Sequence, residues 1–112
     1  MYVHSNFNLN QNFLEAGCYT AIVEEVFFDE TYDGTQKITV KYSVPKDGID
    51  YMLRCTFKSS GPERWNRFMD HLQALGVGLD HIEDYKGKQV GLTFRLVNEN
   101  GRTFQNVTAL EP

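Results

Sequence analysis

The hydrophobic period of this chain changes twice, and that change constrains the fold more than any other feature. From Gln36 to Phe57 apolar residues alternate, with Ile38, Val40, Tyr42 and Val44 followed by Tyr51, Leu53, Cys55 and Phe57 in one phase. In "SSGPERWNRFMDHLQALG" the spacing is different: Trp65, Phe68, Met69, Leu72 and Leu75 fall on one stripe of a helix. Alternation then returns with Val90, Leu92, Phe94 and Leu96. Period two marks a half-buried strand and period 3.6 an amphipathic helix, so the order is strands, one helix, then strands.

Turn residues divide the strands. Gly17 opens "CYTAIVEEVFFDE", where Tyr19, Ala21 and Val23 alternate until the phase slips at Glu24-Glu25 and resumes one residue late at Val26 and Phe28. A β-bulge in a long, bent first strand accounts for the slip. "TYDGT" turns the chain into a second strand, Gln36 to Val44, and "PKDG" turns it into a third, Ile49 to Phe57. After the helix and the connection "VGLDHIEDY", "KGKQVGLTFRLV" and "RTFQNVTAL" form a hairpin about the Asn-Gly of "NENG". For the helix, Ser60 and Glu63 fit a capping box, Pro62 suits the first turn, and Gly76 is the expected stop.

Five antiparallel strands with a helix between the third and fourth is the element order of the OB-fold, a five-stranded Greek-key barrel whose helix plugs one end. The expected organisation is an irregular N-terminal arm over residues 1–16, rich in Asn and aromatics, and a single all-β domain with one helix over 17–112. A length of 112 residues supports one core, and 41% hydrophobic with 23% charged content is far from a disordered composition. The start "MYVHSNFNLNQNF" lacks a signal-peptide pattern, and no apolar run reaches the roughly 18 residues of a membrane span. The expectation is a soluble, cytoplasmic protein.

OB barrels bind ligands on the outer face of strands 2 and 3, with help from the loops after strands 1 and 4. With the apolar phase inward, that face presents Lys37, Thr39, Lys41, Met52, Arg54, Thr56 and Lys58. The segment Gln36 to Lys58 carries a balance of +3 in a chain whose net charge is −4, which leaves −7 for the rest. Lys37, Lys41, Arg54 and Lys58 therefore form an electrostatic track suited to the phosphates of a single strand. The acidic run Glu24, Glu25, Asp29, Glu30 and Asp33 is expected on other elements, confining a polyanion to this groove. Flat side chains for base stacking would come from Phe27, outward if the bulge phase holds, from Tyr32 in the first loop, and from Phe104 beside Arg102 after the fourth-to-fifth turn. Tyr42 and Tyr51 fall in the inward phase.

Other chemistries find little support. Cys18 and Cys55 lack metal or redox spacing and read as reduced thiols on strands. His4, His71 and His81 are scattered and read as surface residues, so no metal and no cofactor are expected. There is no phosphate-binding glycine loop, and "SSGPE" is not a nucleophile elbow, so the chain is not read as an enzyme.

"EAGCYTAIVEEV", "RWNRFMDHLQALG" and "YKGKQVGLTFRLVNENGRTFQNV" carry a Gly-x-Tyr strand opening (Gly17, Tyr19), a helix ending in Leu75-Gly76, and a Gly87-Lys88-x-Val90 strand. In these features the chain resembles small bacteriophage-encoded single-stranded-DNA-binding proteins, over most of residues 15–110. The resemblance implies an OB-fold protein that coats single-stranded DNA during phage replication or recombination in the host bacterial cytoplasm, without catalysis. Short loops imply a small footprint per subunit, extended by homo-oligomerisation, with replication or recombination proteins as further partners. The alternative reading is a protein-interaction module, a phage accessory or inhibitor protein docking a protein partner through its acidic face or a sheet edge.

Overall fold

The computed structural model describes residues 14–112. Of the arm expected over 1–16, residues 1–13 lie outside the described residues, and Leu14 is buried in the core. The elements are β1 (Gly17–Glu30), β2 (Gln36–Lys46), β3 (Ile49–Lys58), the helix α1 (Pro62–Ala74), a 3-10 helix (Leu79–Tyr85), β4 (Gln89–Glu99) and β5 (Arg102–Glu111). The architecture is thus mostly β. The five strands of the described residues are antiparallel and belong to one sheet, in the order β3-β2-β1-β4-β5, so that β3 and β5 are its edges among those residues.

β1 serves both halves of the sheet. Its first half pairs with β4 from Gly17↔Phe94 to Ile22↔Gln89, and its second half pairs with β2 out to Glu30↔Gln36. The β2 register passes from Val23↔Tyr42 to Glu25↔Lys41, leaving Glu24 unmatched, which is the bulge that the phase slip required. The two-residue loops Asp47-Gly48 and Asn100-Gly101 have positive φ at both positions, the geometry that matches the twist of a tight hairpin.

The helix begins one residue later than a capping box would need. Pro62 occupies its first turn and makes Gly61 the N-cap, so Ser60 lies outside the helix and no side chain caps it. Glu63 instead takes a hydrogen bond from Arg67 at 2.6 Å. At the other end Gly76 adopts φ 74°, while its N–H donates to the Gln73 carbonyl at 3.0 Å and that of Val77 to Leu72 at 2.9 Å. This pair of bonds satisfies carbonyls that the helix end leaves free.

The inward phase of the sheet and the α1 stripe meet in one core. Ile38, Val40, Tyr42, Val44, Leu53, Cys55 and Phe57 are all buried, as are Trp65, Phe68 and Leu72 of the helix. Phe68 stacks on Phe57 of β3 with ring centroids 4.0 Å apart. Burying those side chains provides the main driving force for this arrangement. Among the described residues no helix is long and apolar enough to cross a membrane.

One polar chain crosses this core and corrects the expectation of surface histidines. His71 is buried, and its Nε2 lies 2.8 Å from the Tyr85 hydroxyl, which in turn lies 2.7 Å from the Tyr42 hydroxyl. His71 flanks the apolar stripe, and Tyr85 of the 3-10 helix offers it a partner that periodicity could not reveal. Burial lowers the His71 pKa from 6.5 and raises those of both tyrosines. His81 is exposed, and His4 lies outside the described residues. Cys18 and Cys55 are free thiols on β1 and β3, the latter buried with its pKa raised by desolvation.

Candidate nucleic-acid interface

The phase of the β2–β3 hairpin decides which residues can meet a ligand, since a one-residue slip would exchange its faces. Ile38, Val40, Tyr42, Val44, Leu53, Cys55 and Phe57 are buried and Tyr51 is half-buried, so the other phase faces outward, with Ser43 alone of that phase covered. The register then places Lys37 directly opposite Lys58, Thr39 opposite Thr56, Lys41 opposite Arg54, and Ser43 opposite Met52. Two of these four rows are pairs of like charges. Cations facing each other across a ladder destabilise it, and Cβ atoms so placed are only about 4.5–5.5 Å apart. Among the described residues none of these four cations has a carboxylate within 4.0 Å.

β1 extends each row by one residue. Asp29 stands beside Lys37, Phe27 beside Thr39, and Glu25 beside Lys41. The acidic run is therefore not confined to remote elements: two of its members lie on the neighbouring strand, in register with two of the four cations. Asp50, in the outward phase near the hairpin end, is a further acid at the margin of this face. The bulge at Glu24 turns Phe27 outward, where it is 53% exposed. Its row separates the two cation rows, each about 7 Å away along the strands. Ile22 and Met52 flank a buried Ser43 in the next row, and both are partly exposed.

Lys37, Lys41, Arg54, Lys58, Met52 and Phe27 are thus gathered on one face. Tyr32 projects from the β1–β2 turn, fully exposed. There Asp33 Oδ1 accepts hydrogen bonds from the Thr31 hydroxyl and the Thr35 N–H, which also lower the Asp33 pKa. Arg102 and Phe104 stand apart on the β4–β5 hairpin, opposite Glu99 and Val97, with β1 and β4 intervening in the sheet. Phe104 is 48% exposed. Phe28 and Leu96, assigned inward by phase, lie near strand ends beyond the core and remain about half exposed.

Sequence reasoning missed a second feature between α1 and the edge strand β5, a groove of about 790 Å³ whose lining includes Arg64, Arg67, Arg95 and Asn106. Arg64 bridges the two edges of the sheet. Its guanidinium donates to Cys55 Sγ of β3 at 2.9 Å and to Asn106 Oδ1 of β5 at 2.8 Å, and packs over the Phe57 ring at 5.0 Å. No local pattern marks that role, which depends on α1 lying against both edges. Among the described residues no three His, Cys, Asp or Glu side chains gather as a metal site. No protein-family model and no curated protein matches this chain.

Proposed function

We propose that the chain is a non-catalytic binder of single-stranded DNA, and that the outer face of β1, β2 and β3 is its DNA-binding surface. The observation that carries this reading is the pair of like-charged rows, Lys37 with Lys58 and Lys41 with Arg54, with exposed Phe27 in the row between them. Opposed cations cost stability in the free protein. Phosphates relieve that repulsion and release counterions, while an exposed ring stacks on any base without regard to sequence.

The strand order, with a helix after the third strand, supports reading the sheet as an OB-type barrel open between β3 and β5, with Arg64 spanning the gap. In that fold β2 and β3 carry the ligand face. The likeness to phage single-stranded-DNA-binding proteins supports a place in phage DNA replication or recombination in the host cytoplasm, with subunits associating along the strand. Tyr32 would extend the surface at one hairpin, and Arg102 with Phe104 at another.

Fluorescence anisotropy with labelled oligo-dT tests the assignment. Reversing one row with Lys41→Glu and Arg54→Glu should weaken binding by tenfold or more, because two phosphate partners become repulsive. Arg102→Glu, away from this face, should have a smaller effect. Unchanged binding by the folded double variant removes this face from consideration, whereas absence of binding by the folded wild type at low salt favours the interaction-module reading, for which half-exposed Phe28 and Leu96 would be contact residues.

A further inference from the structure

We infer that Glu25 and Asp29 are specificity-setting counter-charges, which limit how tightly the basic face holds a polyanion and direct its path toward β3. This rests on the reading of that face as a single-stranded-DNA site. The four cations look equivalent in sequence but are not equivalent in the sheet. Lys41 and Lys37 of β2 each have a carboxylate opposite them on β1, Glu25 and Asp29. Arg54 and Lys58 are on β3, an edge strand, and among the described residues no strand lies beyond them and no acid stands opposite.

Cross-strand neighbours at this spacing lie well inside the screening length of about 8 Å at physiological salt, so each carboxylate offsets part of its lysine's field. Neither pair closes to within 4.0 Å, and neither lysine is held in an ion pair among the described residues. The lysines remain available, but a phosphate approaching them also meets a carboxylate. The polyanion is held fully by Arg54 and Lys58, and Phe27 sits between the two compensated rows, where a base rather than a phosphate is favoured. The arrangement keeps the complex readily reversible, as a protein that must be displaced from its strand requires.

The test is oligo-dT anisotropy between about 50 and 200 mM salt for the full chain and for Glu25→Gln with Asp29→Asn. With two effective phosphate contacts the wild-type slope of log affinity against log salt is about −1.4, and with four it approaches about −2.8. The double variant should bind on the order of tenfold more tightly at the low-salt end and show that steeper slope. Glu83→Gln with Asp84→Asn, an equal charge change at two exposed positions of the 3-10 helix, controls for net charge and should leave the slope unaltered. Asp29→Asn alone, at an exposed position, should give about half the effect and serves if the double variant does not fold.

Equal affinity and slope in wild type and double variant would overturn the inference while leaving the DNA-binding reading intact. An equal gain from the control pair would overturn it too, by assigning the effect to net charge. Failure of folded wild type to bind oligo-dT at low salt would overturn the underlying reading, and the inference with it.

Discussion

Phe27→Ala separates stacking from electrostatics at the proposed surface. The ring is 53% exposed, so removing it forfeits about half of the burial of a large aromatic side chain, roughly 1 kcal/mol, and leaves the sheet formed. Its central row, between the pairs Lys37–Lys58 and Lys41–Arg54, predicts a larger effect on binding. Loss of one base–aromatic stack is worth about 1–3 kcal/mol, or about 5- to 150-fold in affinity for oligo-dT. Because no charge is removed, the slope of log affinity against log salt should stay at the wild-type value, whereas Arg54→Gln should make it shallower by about 0.7. Phe104→Ala, on the separate β4–β5 hairpin, should cost less than Phe27→Ala. Anisotropy titrations at several salt concentrations, with circular dichroism to confirm folding, give every quantity required. Wild-type affinity in folded Phe27→Ala, or a greater loss in Phe104→Ala, would refute the reasoning that places a base in the central row.

Three further outcomes concern the scaffold. Tyr85→Phe removes the hydroxyl shared by Tyr42 and His71, leaving two buried polar groups without that partner; urea denaturation should show a loss of about 2–5 kcal/mol, against about 1 kcal/mol for Tyr42→Phe, which spares the bond to His71. Burial holds His71 neutral below the 6.5 of an unfolded histidine, so in the window just below pH 6.5 the unfolded chain binds more protons than the folded one. Its contribution to stability therefore falls as pH drops through that window, with a slope of at most about 1.4 kcal/mol per pH unit, and His71→Gln should remove this component from urea midpoints measured across it. Arg64→Ala breaks the bridge from Cys55 to Asn106 and should cost about 1–3 kcal/mol, with hydrogen exchange accelerating in β5 more than in β1.

Local patterns carried much of the secondary structure. Alternation and the Asp-Gly and Asn-Gly turns located the strands, and a phase slip at Glu24-Glu25 located the bulge that turns Phe27 outward. The capping box failed because Pro62 moved the N-cap to Gly61, a competition between two local signals that both fit the sequence. Burial of His71 and the role of Arg64 were hidden for another reason: their partners, Tyr85 and the pair Cys55 and Asn106, come from elements whose contact depends on tertiary packing. The acids beside Lys37 and Lys41 were half visible. Glu25 and Asp29 have the same four-residue spacing as those lysines, but only the register across the bulge aligns the two sets.

The salt dependence of oligo-dT binding by the wild-type protein, beside a duplex of equal length, tests the central claim most directly. The account predicts tighter binding to the single strand, because Phe27 needs an unpaired base, and a log–log salt slope between about −1.4 and −2.8 for two to four phosphate contacts. Absence of binding by folded protein at low salt, or equal affinity for the duplex, would contradict it.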